Sequence, residues 1–196
     1  MVQDDLRLAQ RIAQGNRGAF EEFLDAHGAN VHRLVRRYVA NEADAEDLTQ
    51  EIFVSLYRSI GGFRGDSTLA TWVYRVAFNH CLKHLGRAHP ATESFEESEH
   101  APADMLNDPA RGVARQELST QVHLALDKLS LLHRDVIILH ELHGLTYREC
   151  AEVLGVPVGT VKSRLANAFR CLRDSLGSYV LGETTPNFPE TIGEMS

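Results

Sequence analysis

Apolar residues recur every three or four positions from about residue 4 to residue 86, and again from about residue 116 to residue 180, the spacing of one buried stripe on an α-helix. No strand-like alternation competes with it, and glycines at positions 15, 28, 61, 62 and 65 read as punctuation. Over residues 41–63, Leu48, Ile52, Leu56 and Ile60 stand at four-residue steps with Phe53 and Tyr57 beside them. This predicts a helix that turns the stripe inward and leaves Asp44, Asp47, Gln50, Glu51 and Arg58 on a solvated face. Over residues 63–87 a further helix is expected, capped by Ser67, ending near Gly86 and burying Leu69, Trp72, Val73 and Val76. On another of its faces Arg75, Asn79, Lys83 and Arg87 recur every fourth residue, with Phe63, Arg64, Tyr74 and Phe78 adding rings and charge nearby.

The period is lost over residues 88–112, AHPATESFEESEHAPADMLNDPARG, which hold three prolines and a cluster of glutamates. Such a composition reads as a flexible acidic linker. The expected organisation is therefore all-α: two small helical domains, residues 1–87 and 116–180, joined by the linker 88–115 and followed by a frayed tail, 181–196. There is no internal repeat.

A formal charge of −7 speaks against nucleic acid only if the excess acid lies on the folded parts. It does not. Residues 1–87 carry 11 basic and 11 acidic side chains and residues 116–180 carry 7 and 7, whereas residues 88–115 carry 2 and 6 and the tail 0 and 3. Two neutral domains can still display basic faces if their acids point elsewhere. The start, MVQDDLRLAQ, is charged where a signal peptide is apolar, and no apolar run approaches the roughly 20 residues of a membrane span, so a cytoplasmic protein is expected. Cys81, Cys150 and Cys171 stand singly within periodic segments and read as small core residues rather than a disulfide framework or metal knuckle.

Residues 145–176, LTYRECAEVLGVPVGTVKSRLANAFRCLRDSL, carry the most information. Thr146 followed by Glu149 is a capping box, so a helix begins at Tyr147 and buries Cys150, Ala151 and Leu154 until Gly155 stops it. Pro157 suits the first turn of a second helix, and so short a connection makes the two cross steeply, as in a helix-turn-helix. On that second helix Val161, Leu165, Phe169 or Ala168, Leu172 and Leu176 share a face. Thr160, Lys162, Ser163, Arg164, Asn167 and Arg170 point elsewhere and supply donors for phosphates and base edges. A helical hairpin with a merely solvated charged face is the plainer alternative.

The phrase GLTYRECAEVLGVPVGTVKSRL closely resembles region four of the bacterial extracytoplasmic-function (ECF) sigma factors, whose helix-turn-helix reads the minus-thirty-five promoter element. Residues 125–144 resemble the first helices of the same domain. DAEDLTQEIFVSLYRSI resembles region two, the helix that grips the coiled-coil of the polymerase's largest subunit, which implies Asp47, Gln50 and Glu51 as polymerase contacts. The following stretch corresponds to the part that captures and melts the minus-ten element, implying that role for Phe63, Arg64, Asp66, Ser67, Arg75, Asn79 and Lys83. Where the family continues its recognition helix with further arginines, this chain has Ala166, Asn167 and Phe169. Fewer cations weaken phosphate attraction, while Asn167 could pair with adenine. The resemblance implies core RNA polymerase, promoter DNA and an anti-sigma factor as partners, no cofactor and no catalysis. It also runs the linker through the polymerase, where Glu93, Glu96, Glu97, Glu99 and Asp104 are either an acidic occupant of a nucleic-acid channel or an inert spacer.

Ten histidines invite a metal reading, through His80 and His84 beside Cys81 and through the HELH of residues 140–143. That run is one residue short of HExxH and has no evident third ligand, so no metal is expected. No Walker loop, GxSxG or dinucleotide turn offers a catalytic centre. Two rivals remain: a helix-turn-helix regulator that never joins polymerase, and a sigma-like decoy that sequesters an anti-sigma factor.

Overall fold

The computed structural model describes residues 2–86, 125–126 and 128–180. Arg87, the linker acids and the tail lie outside them. Helices α1 (Val2–Ala13), α2 (Arg17–Val35), α3 (Glu42–Ser59) and α4 (Leu69–His84) form the N-terminal half, with a short 3-10 turn, Ile60–Gly62, after α3. The C-terminal half has α5 (Leu131–Ile137), which runs on through a π turn at Ile138–Leu142, then α6 (Tyr147–Leu154) and α7 (Val158–Val180). Among the described residues there is no strand, and no helix is long and apolar enough to cross a membrane.

The helices begin where a side chain can take up a free backbone N–H. Asn16 accepts from Ala19, Asn41 from Asp44 and Thr68 from Thr71. The cap of α4 is thus Thr68 and not Ser67, whose hydroxyl bonds the Thr68 carbonyl instead. Gly28 does not break the chain either; it lies inside α2, whose ends are set by Asn16 and Arg36. The predicted stripe of α3 is buried at Leu48, Ile52, Phe53, Leu56 and Ile60, while Tyr57 sits outside it.

The two halves do not stand apart. One continuous apolar core runs from Ala9 and Ile12 through Phe78, Cys81 and Leu82 to Val136, Leu139, Leu154 and Val161. Helix α6 packs on α4, and three polar pairs stitch the seam. The Tyr38 hydroxyl bonds Asp135, the Thr71 hydroxyl donates to Glu149 at 3.3 Å, and the Tyr74 hydroxyl meets His143 Nδ1 at 3.2 Å with their rings edge to face. The sequence boundary at residues 88–115 therefore separates segments of chain that share a hydrophobic interior, because α4 buries apolar surface on more than one side.

Candidate nucleic-acid interface

Three polar surfaces emerge from this packing. The first is the outer face of α3, where Asp44, Asp47, Gln50, Glu51 and Arg58 are all exposed. Val54 and Tyr57, 49% and 46% exposed, continue that face. They form one wall of an open apolar groove of about 410 Å³ lined also by Phe20, Leu24 and Phe53, with Tyr57 edge-on to Phe20 at 4.9 Å. The apolar part of this surface was missed from sequence because Tyr57 fits the core period as well as the outer one.

The second surface is the loop of residues 63–68 with the free face of α4. Arg64 and Asp66 are exposed, Ser67 is half-buried, and Arg75, Asn79 and Lys83 line up along α4 in solvent. The rings expected beside them are elsewhere. Phe63 is 8% exposed and leans on Trp72 at 5.9 Å, which places both in the core. Phe78 is fully buried against Tyr38, and Tyr74 is taken up by His143 in the seam. Phe63 thus anchors the loop from inside, while cationic and amide groups make up the face of α4. That is the chemistry needed to follow a phosphate backbone and hold base edges.

The third surface is α7, entered through α6 as expected. Thr146 accepts from Glu149 N–H at 3.3 Å, and the Glu149 carboxylate accepts from Thr146 N–H at 2.9 Å. Burial alone would raise the Glu149 carboxyl, but hydrogen bonds from the Thr146 N–H and from the Thr146 and Thr71 hydroxyls hold it below its usual range. Gly155 closes α6 at φ +65°, a left-handed position that glycine takes without steric cost. Pro157 stands just before α7, its carbonyl receiving the N–H groups of Thr160 and Val161. Val161, Leu165 and Ala168 are buried and Leu172 packs at the edge, so the core choice is Ala168; Phe169 is 39% exposed.

On the outward side of α7, Lys162, Ser163 and Arg170 are exposed, with Thr160, Arg164 and Asn167 at intermediate depth. The Lys162 ammonium lies 5.8 Å over the Tyr147 ring, which links the two helices of the motif. Asn167 is already engaged, since its side-chain oxygen accepts from Arg170 Nη2 at 2.9 Å. An adenine contact there requires that bond to be exchanged.

Both histidines of the HELH run make contacts within the fold. His140 bonds the Leu145 carbonyl at 2.6 Å and lies 4.6 Å from the Tyr147 ring. His143 is pulled down to about 4, first by burial and then by Arg37 and Arg33. Cys81 and Cys150 are buried, and burial pushes each thiol up to about 12, helped by the charges of Asp135 and Glu149 respectively. Cys171 departs from expectation: it is exposed on α7.

Comparison with known proteins places the two halves side by side with one class. Residues 23–90 match the model of sigma-70 region 2 and residues 119–172 that of sigma-70 region 4. The chain is 34% identical over 183 residues to the RNA polymerase sigma-H factor of Pseudomonas aeruginosa, covering 89% of this chain and 94% of the relative. It is 34% identical over 174 residues to the ECF RNA polymerase sigma-E factor of Escherichia coli, covering 84% and 90%. Among solved structures, CnrH in complex with the cytosolic domain of CnrY superposes with a TM-score of 0.66 at 25% identity, covering 89% of this chain and 97% of that one. Sigma factor RpoE in complex with the anti-sigma factor NepR, from Bartonella quintana, shares the fold with a TM-score of 0.59 at 21% identity, covering 81% and 96%.

Proposed function

The chain belongs to the ECF sigma factors, and from that premise we propose a division of labour among its surfaces: α3 holds core polymerase, the 63–68 loop with α4 opens the minus-ten element, and α7 reads the minus-thirty-five element. As an alternative sigma factor it directs transcription initiation with RNA polymerase. It acts by binding, in the cytoplasm, and performs no catalysis of its own.

Asp47, Gln50 and Glu51 supply polar contacts to polymerase, and the groove beside Val54 and Tyr57 adds apolar grip at the same place. Arg64, Asp66, Ser67, Arg75, Asn79 and Lys83 receive the separated strand, with Phe63 fixing the loop from within. Lys162, Arg164 and Arg170 meet phosphates, while Thr160 and Ser163, in the first two turns of α7, and Asn167, one turn further along, reach base edges. Residues 1–87 work as the region 2 unit and 116–180 as the region 4 unit, with 88–115 spanning the two on polymerase. An anti-sigma factor holds the chain in reserve, as CnrH and RpoE are seen with CnrY and NepR.

The observation that carries this reading is the alignment of Arg75, Asn79 and Lys83 along the solvent face of an otherwise largely buried α4, next to a loop that exposes Arg64 and Asp66 and buries its ring. The test is to add the purified chain to matched core polymerase and map start sites across a genomic template pool. A defined subset of promoters is expected to fire. Transcription indistinguishable from core alone would overturn the assignment.

A further inference from the structure

We infer that α1, through Asp5 and Leu6, holds the loop of residues 63–68 in the shape that receives unpaired promoter bases, which makes Asp5 a positioning residue for strand capture. The inference rests on the reading of that loop given above. It adds a helix that the region 2 match, starting at residue 23, does not include.

Three contacts carry it, spaced from the 3-10 turn to the start of α4. The Asp5 carboxylate accepts a hydrogen bond of 2.9 Å from the backbone N–H of Leu69, the first residue of α4 and 64 positions away. That N–H has no partner within the helix, and it stands at the positive end of the helix dipole, where a carboxylate is favoured. Leu6 lies over the middle of the loop: a Cβ on Gly65 would stand 3.0 Å from Leu6 Cδ1, and Gly65 has φ +78°. Gly65 is thus fixed both by its left-handed backbone and by the leucine pressed upon it. Lastly, a Cβ on Gly61 would lie 3.7 Å from the Ala13 methyl, so the far end of α1 rests on the turn that leads into the loop. Ala9 and Ile12, 3% and 1% exposed, anchor α1 to the core between these points.

Arg64, Asp66 and Ser67 lie between these supports. A base drawn out of the stack costs a few kcal/mol, which the receiving loop can offset only if it need not spend binding free energy on ordering itself. Removing the Asp5 carboxylate frees the loop at its junction with α4 without touching α3 or α7.

The experiment uses full-length chain reconstituted with core polymerase and a pool of forked templates, duplex upstream and randomised in the single-stranded minus-ten segment. Bound templates are sequenced and base enrichment is scored. Asp5→Ala is expected to flatten the enrichment about fivefold, the size of a lost helix cap, while retention of the chain on core polymerase is unchanged. Asp5→Asn, which keeps an acceptor oxygen, restores most of it. Val31→Ala, a cavity in the core of α2, lowers thermal stability at least as much yet leaves enrichment intact. If Val31→Ala flattens enrichment as far as Asp5→Ala does, Asp5 has only a general stabilising role and the inference fails. If Asp5→Ala keeps wild-type enrichment while Arg64→Ala and Asp66→Ala lose it, the loop reading stands and the role of α1 is wrong. If Arg64→Ala and Asp66→Ala also keep it, the loop reading itself falls and takes the inference with it.

Discussion

The Tyr38 hydroxyl donates a 3.0 Å hydrogen bond to Asp135 Oδ1 in the protein interior, joining residues 97 positions apart and with them the two halves of the chain. Asp135 is 1% exposed, so its carboxylate depends on such partners. Tyr38→Phe keeps the ring against Phe78 and removes only the donor. The expected cost is about 1–3 kcal/mol, read as a drop in the thermal midpoint, with a double-mutant cycle against Asp135→Asn showing coupling rather than additivity.

The same seam limits what the closed chain can reach. Promoter elements named for positions minus ten and minus thirty-five lie about 25 base pairs apart, roughly 85 Å at about 3.4 Å per pair, whereas packed helices such as α4 and α6 lie about 8–10 Å apart. The chain between Gly86 and Ala125 is about 40 residues long and can span roughly 130 Å when extended. Engagement of both elements therefore requires the seam to part. Tyr38→Phe is expected to speed holoenzyme formation with core polymerase in stopped-flow binding even as it lowers stability; a slower rate would contradict this.

His143 supplies a pH dependence. Its folded pKa of about 4 lies below the ordinary value of 6.5 because burial, Arg37 and Arg33 disfavour the cation, and the Tyr74 hydroxyl and Glu149 are the other ionisable groups on the α4 and α6 sides. An unfolded or opened chain then binds the proton more readily, so stability is complete above about pH 6.5 and declines as pH falls toward 4. Partial exposure trims the effect to about 2 kcal/mol. Chemical denaturation at pH 7 and pH 5 should show the loss, and His143→Gln should flatten it.

Thiol chemistry separates the cysteines. Cys171 is exposed, whereas Cys81 and Cys150 are buried with thiols raised to about 12, so little thiolate is available from either. A thiol reagent at neutral pH is expected to label Cys171 rapidly and the other two only on unfolding, as mass spectrometry of the labelled peptides would reveal. Cys171→Ser should abolish the rapid phase.

What could be read from the chain beforehand follows the range of the forces involved. The α3 stripe, the Thr146 and Glu149 box and the Gly155 stop are set by residues within a turn of one another, and all were legible. Whether Ser67 or Thr68 caps α4 was not, since adjacent hydroxyls are chemically alike and only the backbone angle selects one. The choice of Ala168 over Phe169 turns on the drift between a 3.6-residue period and a four-residue step. Tyr38 with Asp135, and Asp5 with Leu69, meet across 97 and 64 positions, and no local pattern announces either pair. The polar faces were thus visible, while the contacts that aim them were not.

Asn79 lies midway along the exposed face of α4, between Arg75 and Lys83. A neutral amide adds little to backbone attraction but can hold an unpaired base edge. Asn79→Ala is therefore expected to slow strand opening, followed by permanganate reactivity of unpaired thymines, more than it weakens initial promoter binding. Equal loss of both would remove Asn79 from the opening step.

On α7 the exposed cations and the amide should behave differently under salt. Each of Lys162 and Arg170 that neutralises a phosphate releases condensed counterions, so its replacement by alanine should lower affinity for every upstream duplex alike and reduce the slope of log affinity against log salt by about 1. Asn167 contributes no charge. Its replacement by alanine should leave the slope intact and cost about 1–3 kcal/mol only on duplexes carrying the preferred base. Because Arg170 holds the Asn167 oxygen in the free chain, Arg170→Ala also releases that amide, and part of the lost affinity should return on the preferred sequence alone. Fluorescence anisotropy at several salt concentrations, with preferred and scrambled duplexes, separates the two behaviours, and an unchanged slope for Lys162→Ala and Arg170→Ala would remove this face of α7 from the phosphate backbone.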